Sequence, residues 1–180
     1  MRYPTIMKRF AVFLLATALC APAVAQGPAA EKARVDAIAK LGFLTGEWAG
    51  EGWAATGRDQ RATFKQTESV RTAAGGSVLV IDGLGVNAEG KAVHQAFAVV
   101  SYDAAASKYR WRAYTRANGE VDVEPAVGDG TLVWGFPVPG GQVRFSIDRT
   151  PAGGWHEIGE FSRDGKSWFK TLEMNLERKR

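Results

Sequence analysis

The sequence predicts an all-β protein: an antiparallel, up-and-down β-barrel of about ten strands preceded by one short helix. After Thr45, short segments alternate apolar and polar residues, which is the period of a half-buried strand. Asn-Gly, Asp-Gly and Gly-Gly pairs separate these segments, as hairpin turns require. No helical spacing of apolar residues occurs after this point, so there is no room for the long crossovers that parallel strands need.

Residues 1–25 have the composition of a cleaved secretory signal peptide. Three basic residues and no acidic one precede an apolar run at 10–19, and the small residues Ala23 and Ala25 suit a cleavage site before Gln26. A transmembrane helix needs about 20 apolar residues, so we expect cleavage and no membrane span in the mature chain. The expected location is secreted, in a bacterial periplasm.

The single cysteine and most of the excess positive charge lie in this signal segment. The chain has 23 Lys and Arg against 19 Asp and Glu, and loss of the three basic residues of 1–25 leaves 20 against 19. A nearly neutral domain gains little from releasing counterions, so we expect no nucleic-acid partner. Without Cys20 the domain has no disulfide, no thiol nucleophile and no thiolate metal ligand.

The mature chain is expected to consist of a linker at 26–30 and a single domain at 31–180. A helix is predicted at 31–44, because Val35, Ile38 and Leu41 recur at three-residue steps. The strands that the alternation predicts are 47–55, 61–72, 77–86, 92–102, 108–116, 120–127, 131–136, 142–149, 155–162 and 166–177.

The start of the first strand carries Trp48 followed by glycines at 50 and 52. Glycines at alternate strand positions permit a strong bend or a close backbone approach, as barrel closure requires. We expect Trp48 to plug the end of the barrel beneath the helix.

The alternation also predicts which side chains face the interior. Aromatic residues dominate that face, and a few polar ones accompany them: Gln66, Glu68, Gln95 and Glu157. The histidines, His94 and His156, are predicted on the opposite face. Six tryptophans either fill a solid core or form the walls of a ligand cavity; both alternatives stay open at this point.

The stretch LTGEWAGEG at 44–52 resembles the opening of lipocalin-like (calycin-like) β-barrels, where a helix runs into a Gly-x-Trp strand. It is more specifically similar to the bacterial domain-of-unknown-function family numbered 1579, as are SYDAAASKYRWRA at 101–113, GDGTLVWGF at 128–136 and the segment 155–176. The resemblance implies a closed barrel of about ten strands. It implies no established activity.

The nitrobindin-like haem proteins open with a similar Gly-x-Trp-x-Gly-x-Gly pattern. They continue with Tyr-Pro-Thr-Ile, whereas this sequence continues with Trp-Ala-Ala-Thr at 53–56. A haem-binding barrel, with His156 as the better candidate for an axial ligand, is therefore a less favoured alternative, and we expect no cofactor.

Residue patterns that would indicate an enzyme or a metal site are absent from the sequence. There is no Gly-x-Ser-x-Gly elbow and no His-x-x-x-His pair. Glu157 and Glu160 are three apart on one strand, so their side chains would point to opposite faces and form a poor acid–base pair. An enzyme thus remains a less favoured alternative, and no catalytic or metal-binding residue is predicted.

We therefore expect the barrel to bind a small hydrophobic or amphipathic molecule, with Glu68 or Gln66 orienting the polar end of the ligand. The alternative is a filled barrel that acts as a structural or interaction module; the oligomeric state stays open. The residues predicted to contact the ligand are Trp48, Phe64, Gln66, Glu68, Phe97, Trp111, Trp134, Phe145 and Phe161.

Overall fold

The computed structural model describes residues 27–116 and 119–180. The predicted signal peptide and its cleavage site lie outside the described residues. Within those residues the protein is all-β, with one α-helix and two short 3₁₀ helices.

The helix α1 spans Pro28–Ala39, and a 3₁₀ helix at Gly42–Leu44 follows it. The helix starts inside the predicted linker because Pro28 suits the first helical turn, where no backbone donor is needed. It ends before the predicted residue 44, and the tighter 3₁₀ turn that follows brings Leu41 and Leu44 into the core.

In the described part of the chain eleven strands follow the helix, one more than predicted. The predicted strand at 120–127 is divided at Pro125, which cannot donate a ladder hydrogen bond. The strands are β1 (Gly46–Ala55), β2 (Arg61–Ala73), β3 (Val78–Val86), β4 (Ala92–Asp103), β5 (Lys108–Thr115), β6 (Gly119–Val123), β7 (Ala126–Gly128), β8 (Thr131–Val138), β9 (Gly141–Arg149), β10 (Trp155–Ser162) and β11 (Phe169–Arg178); the second 3₁₀ helix, Ala74–Gly76, lies between β2 and β3.

The last strand starts later than predicted because a turn occupies the preceding residues. The Asp164 carboxylate accepts hydrogen bonds from the backbone N–H groups of Lys166 and Ser167, at 2.9 and 2.8 Å. A carboxylate that accepts from the backbone in this way competes with a ladder, so the strand begins only at Phe169.

All strand pairs are antiparallel, and the sheet order is β6-β5-β4-β3-β2-β1-β11-β10-β9-β8-β7. This is the predicted lipocalin-like up-and-down barrel, in which β1 pairs with the last strand. Closure by hydrogen bonds is incomplete, because β6 and β7 form the two ends of the described ladder. Side chains cross this seam: Trp111 of β5 stacks on Trp134 of β8, with ring centroids 4.2 Å apart.

Trp48 lies where the sequence predicts, at the end of the barrel that the helix covers. Its indole is 1% exposed, and its Nε1 donates to the Leu44 carbonyl oxygen at 2.7 Å. The ring packs edge-on against Trp155, 5.9 Å between centroids, and the Arg178 guanidinium lies 4.3 Å from its centroid. Tyr109 Oη donates to the Ala37 carbonyl oxygen of α1 at 2.9 Å. We call this region the closed end.

The predicted faces of β4 are wrong by one residue. Ala98 and Val100 are buried in the core, whereas Phe97 is 41% exposed and Gln95 also faces outward. The run AFAVV at 96–100 is apolar on both faces, so alternation alone could not decide which face is internal. His94 consequently faces the barrel, contrary to the prediction. His156 lies outside as predicted, with its Nε2 3.0 Å from Glu173 Oε1.

Candidate functional site

A cavity of about 370 Å³ occupies the half of the barrel away from the closed end. Its mouth lies at the start of β4 and the end of β5, where Val93 and Arg116 are exposed. Its walls are mostly apolar: Ile81, Ala98, Trp111, Ala113, Val121, Trp134, Phe136, Phe145, Ile147, Trp155 and Met174. The polar side chains that line it are those of Glu68, His94, Thr115, Arg116 and Glu157, and the outward-facing Gln95 also borders it.

One wall of the cavity is a stack of three aromatic rings. Trp111 packs face to face on Trp134. The ring centroids of Trp134 and Phe145 are 5.4 Å apart, with 17° between the ring planes. The Trp111 indole is buried, and its Nε1 has no hydrogen-bond partner within the described part of the chain. The stack therefore offers an apolar surface with one donor that has no partner among the described residues.

Glu68 projects from β2 into the bottom of the cavity and is only 5% exposed. Its Oε1 accepts from Gln66 Nε2 at 2.6 Å. Gly83 on β3 makes room for this carboxyl group, because a Cβ there would lie 2.5 Å from Oε1. Burial, which outweighs the Gln66 hydrogen bond, raises the pKa of Glu68 to about 7.

Glu157 projects from β10 into the same cavity and is 7% exposed. Its Oε2 accepts from Trp155 Nε1 at 3.2 Å. Burial raises the pKa of Glu157 to about 8, and the neighbouring Glu68 charge adds to that rise. The two carboxyl groups therefore interact electrostatically at the bottom of the cavity.

Gln66 and His94 extend the polar region beside Glu68. Gln66 is 1% exposed, and its Oε1 accepts no hydrogen bond from any residue in 27–116 or 119–180. His94 stacks on Phe64 with ring centroids 5.8 Å apart, and burial lowers the pKa of its imidazole. The region beside Glu68 therefore has a spare acceptor and a histidine that favours its neutral form.

The structure brings together only part of the predicted ligand-binding set. Four of the nine residues line the cavity: Glu68, Trp111, Trp134 and Phe145. Phe64 and Gln66 are buried next to it, and Trp48 belongs to the closed end. The prediction that Phe97 faces the interior is wrong, as described above.

Phe161 also does not line the cavity. It is half-buried and pairs with the exposed Phe169, beyond a register shift between β10 and β11 at Gly159 and Glu160. The adjacent Glu160 lies outside and bonds Arg144 at 2.7 Å, so Glu157 and Glu160 do point to opposite faces.

The cavity residues that were not predicted to contact a ligand include Glu157 and His94. Glu157 was predicted to face inward but was not selected, and the alternation of Trp155, Glu157 and Gly159 was the signal for it. His94 was missed because the faces of β4 were inverted. The glycines at 83 and 85 oppose Glu68 and Gln66 in the ladder and offer a further signal, since alternate glycines leave space for inward polar groups.

Within residues 27–116 and 119–180, no group of three or more His, Cys, Asp or Glu side chains is placed to hold a metal ion. In the same residues no helix combines the length and the apolar character that a membrane crossing needs.

The fold and this cavity define a lipocalin-like β-barrel with a partly hollow interior. The protein is similar in structure to Rv2717c from M. tuberculosis, with a TM-score of 0.60 and 14% sequence identity over 80% of this chain and 98% of that one. This identity is low enough that the likeness shows the fold alone.

A second similar structure is a protein of unknown function from the DUF3598 family of Nostoc punctiforme, with a TM-score of 0.45 and 13% identity. It matches over 77% of this chain and 48% of its own length. No family model matches the chain, and no curated protein matches its sequence. The resemblance to family 1579 therefore stays a prediction.

Proposed function

We propose that this protein is a secreted carrier or receptor for a small, largely apolar molecule, which it holds in the barrel cavity. The observation that carries the proposal is the cavity of about 370 Å³, which has aromatic walls and two carboxyl groups at its bottom. Ligand pockets in proteins have volumes of about 300–1,000 Å³ and pair apolar walls with a few polar anchors.

The cavity favours this function over a filled barrel that serves as an interaction module. The closed end is packed by large side chains such as Trp48 and Leu44, as a filled barrel would be throughout. Around the cavity, by contrast, β4 and β5 contribute small residues, among them Ala98 and Ala113. Small residues beside an aromatic stack leave the space that a ligand would occupy.

Membership of family 1579 and export to the periplasm belong to the same proposal. They rest on the sequence motifs and on the composition of residues 1–25. N-terminal sequencing of the protein exported by a bacterial host tests the export step, and a first residue other than Gln26 would contradict the predicted cleavage.

Ligand binding is tested with N-phenyl-1-naphthylamine, an uncharged dye that fluoresces strongly in apolar cavities. We expect enhanced fluorescence with the wild-type protein. Ala113→Phe places a ring in the cavity and should abolish the enhancement, whereas Arg112→Phe adds the same ring on the outer face of the same strand and should preserve it. No enhancement with the wild-type protein, or equal enhancement with both variants, would overturn the proposal.

A further inference from the structure

The bottom of the cavity holds two carboxyl groups and no basic partner for either. Among the described residues, the basic side chains that line the cavity are Arg116 and His94. Arg116 is exposed at the mouth and donates to the Ala92 carbonyl oxygen at 3.3 Å. His94 favours its neutral form because burial lowers its pKa. A buried carboxylate without a cationic partner costs free energy. A cationic group of a ligand would supply that partner.

When both carboxyl groups are ionised, hydrogen-bond acceptors outnumber donors in this part of the cavity. Gln66 and Trp155 each donate to one carboxyl oxygen, which leaves the second oxygen of Glu68 and of Glu157 without a donor in the described residues. Gln66 Oε1 is a further buried acceptor without a partner. A complementary ligand group must therefore donate several hydrogen bonds, and an ammonium group has three donors and no acceptor.

The aromatic stack supports the same chemistry from the side. Apolar walls keep water away from a bound ammonium group, which strengthens its attraction to the two carboxylates. Trp111, Trp134 and Phe145 also provide an apolar wall for the body of the ligand. The unpartnered Trp111 N–H is a single donor and leaves the surplus of acceptors unchanged.

We propose that the ligand is a small organic amine, a protonated ammonium group on an apolar body, with its ammonium group held between Glu68 and Glu157 and its body against the Trp111–Trp134–Phe145 stack. This inference rests on the proposed function, since it names the class of ligand for the same cavity. An uncharged ligand would leave the acceptors partly unpaired, and an anionic ligand would meet two carboxyl groups.

The titration of the pair gives the inference a second consequence. The pKa values of about 7 and 8 mean that the empty pair keeps protons near neutral pH. Among the described residues, the other titratable and charged groups that line the cavity are His94 and Arg116, toward the mouth. Asp82 lies exposed on the outer face of β3, and its charge also raises the pKa of Glu68. A bound cation would lower the pKa of both carboxyl groups, so binding would release protons and strengthen as the pH rises toward about 9.

The class of ligand is tested by displacing N-phenyl-1-naphthylamine with three molecules of similar shape: 2-phenylethylamine, 2-phenylethanol and 3-phenylpropionate. At about pH 9, above the pKa values of both carboxyl groups, we expect the amine to compete at least about tenfold better than the alcohol, and the carboxylate to be weakest. Calorimetry of amine binding in two buffers of different ionisation enthalpy, at about pH 7, should show proton release.

Variants assign the preference to the two side chains. In Glu68→Gln combined with Glu157→Gln, the amine should lose its advantage over the alcohol while the dye still binds. Both substitutions remove a buried charge and keep a similar shape, so the fold should persist. Glu160→Gln, on the outer face of the same strand as Glu157, should leave the amine preference unchanged.

The outcomes separate this inference from the proposed function. If the dye does not bind the wild-type protein, the proposed function itself fails. If the dye binds and the amine competes no better than the alcohol, or keeps its advantage in the double variant, the cavity binds ligands but the amine assignment is wrong.

Discussion

The closed end and the cavity differ in whether their buried polar groups have hydrogen-bond partners. At the closed end the indole N–H of Trp48 has a backbone acceptor and its ring is packed on Trp155 and under Arg178. In the cavity the indole N–H of Trp111 has no partner within the described residues, and neither does Gln66 Oε1 beside the cavity. Satisfied buried groups stabilise a fold, and unsatisfied ones cost free energy unless a ligand completes them.

The closed end and the cavity adjoin each other directly, at neighbouring positions of the same strands. Trp48 pairs directly with Glu68 across β1 and β2, and Trp155 precedes Glu157 by two residues on the same face of β10. The same ladder therefore carries a core residue and a cavity residue side by side. The closed end contributes buried core residues such as Trp48 and Leu44, whereas the cavity side holds buried polar atoms without a partner among the described residues.

Loss of the Trp48 ring should have the largest effect on stability. Trp48→Ala removes the packing on Trp155 and the hydrogen bond to Leu44, so we expect the free energy of unfolding to fall by about 3–5 kcal/mol in urea. Trp168→Ala is the matched control, because that ring also lies under an arginine, Arg144, but on the outer surface. Its expected cost is below about 1 kcal/mol. Equal losses of unfolding free energy in the two variants would mean that Trp48 contributes no more to stability than a surface tryptophan.

The two cavity carboxyl groups should make stability depend on pH. Their pKa values in the folded state, about 7 and 8, exceed the ordinary 4.5, so the folded protein binds more protons than the unfolded chain. Their contribution is complete below about pH 4.5 and is lost as the pH rises through those values, and between pH 6.5 and 9 we expect a loss of about 2–3 kcal/mol. The pKa of His94 is lowered by burial, so its contribution in this window is small and of opposite sign: the unfolded chain loses the imidazole proton near pH 6.5, and stability rises slightly there.

Denaturant unfolding at several pH values measures this loss. Glu68→Gln combined with Glu157→Gln should flatten the profile between pH 6.5 and 9, whereas Glu160→Gln should retain it. A wild-type profile that is already flat in this range would mean that the carboxyl groups are not buried as the structure has them.

Two identical substitutions compare the indole N–H groups directly. Trp48→Phe breaks a buried hydrogen bond to the Leu44 carbonyl oxygen, whereas Trp111→Phe removes a donor that has no partner. We expect the first to destabilise the protein by about 1–2 kcal/mol more than the second, as measured by urea unfolding. If Trp111→Phe cost as much, the Trp111 N–H would have a partner in the folded protein.

The smallest effect should come from the residue whose face was mispredicted. Phe97 is on the outer face, so Phe97→Ser should change the unfolding free energy by less than about 0.5 kcal/mol. Phe145→Ser, at the aromatic stack, should cost about 3 kcal/mol or more. A large loss of unfolding free energy in Phe97→Ser would mean that Phe97 faces the interior, as the sequence predicts.

Much of the fold could be predicted because local signals repeat along the whole chain. Period-two alternation and glycine turns located every strand to within a few residues, apart from the division at Pro125 and the late start at Phe169. The prediction of which side chains face the interior was wrong where alternation carries no information. The run 96–100 is apolar on both faces of β4, and a register shift at Gly159 separates Phe161 from the cavity.

The sequence by itself determined the antiparallel barrel, the short helix and the inward direction of Glu68 and Glu157, because strand period and turn chemistry are local properties. Only the tertiary structure decided that these two carboxyl groups share one cavity, that His94 faces it, and that Trp48 and Trp111 belong to regions of opposite character. The strands that carry these residues lie far apart along the chain, and side-chain packing across the barrel, which no local pattern specifies, sets which end is filled and which stays open.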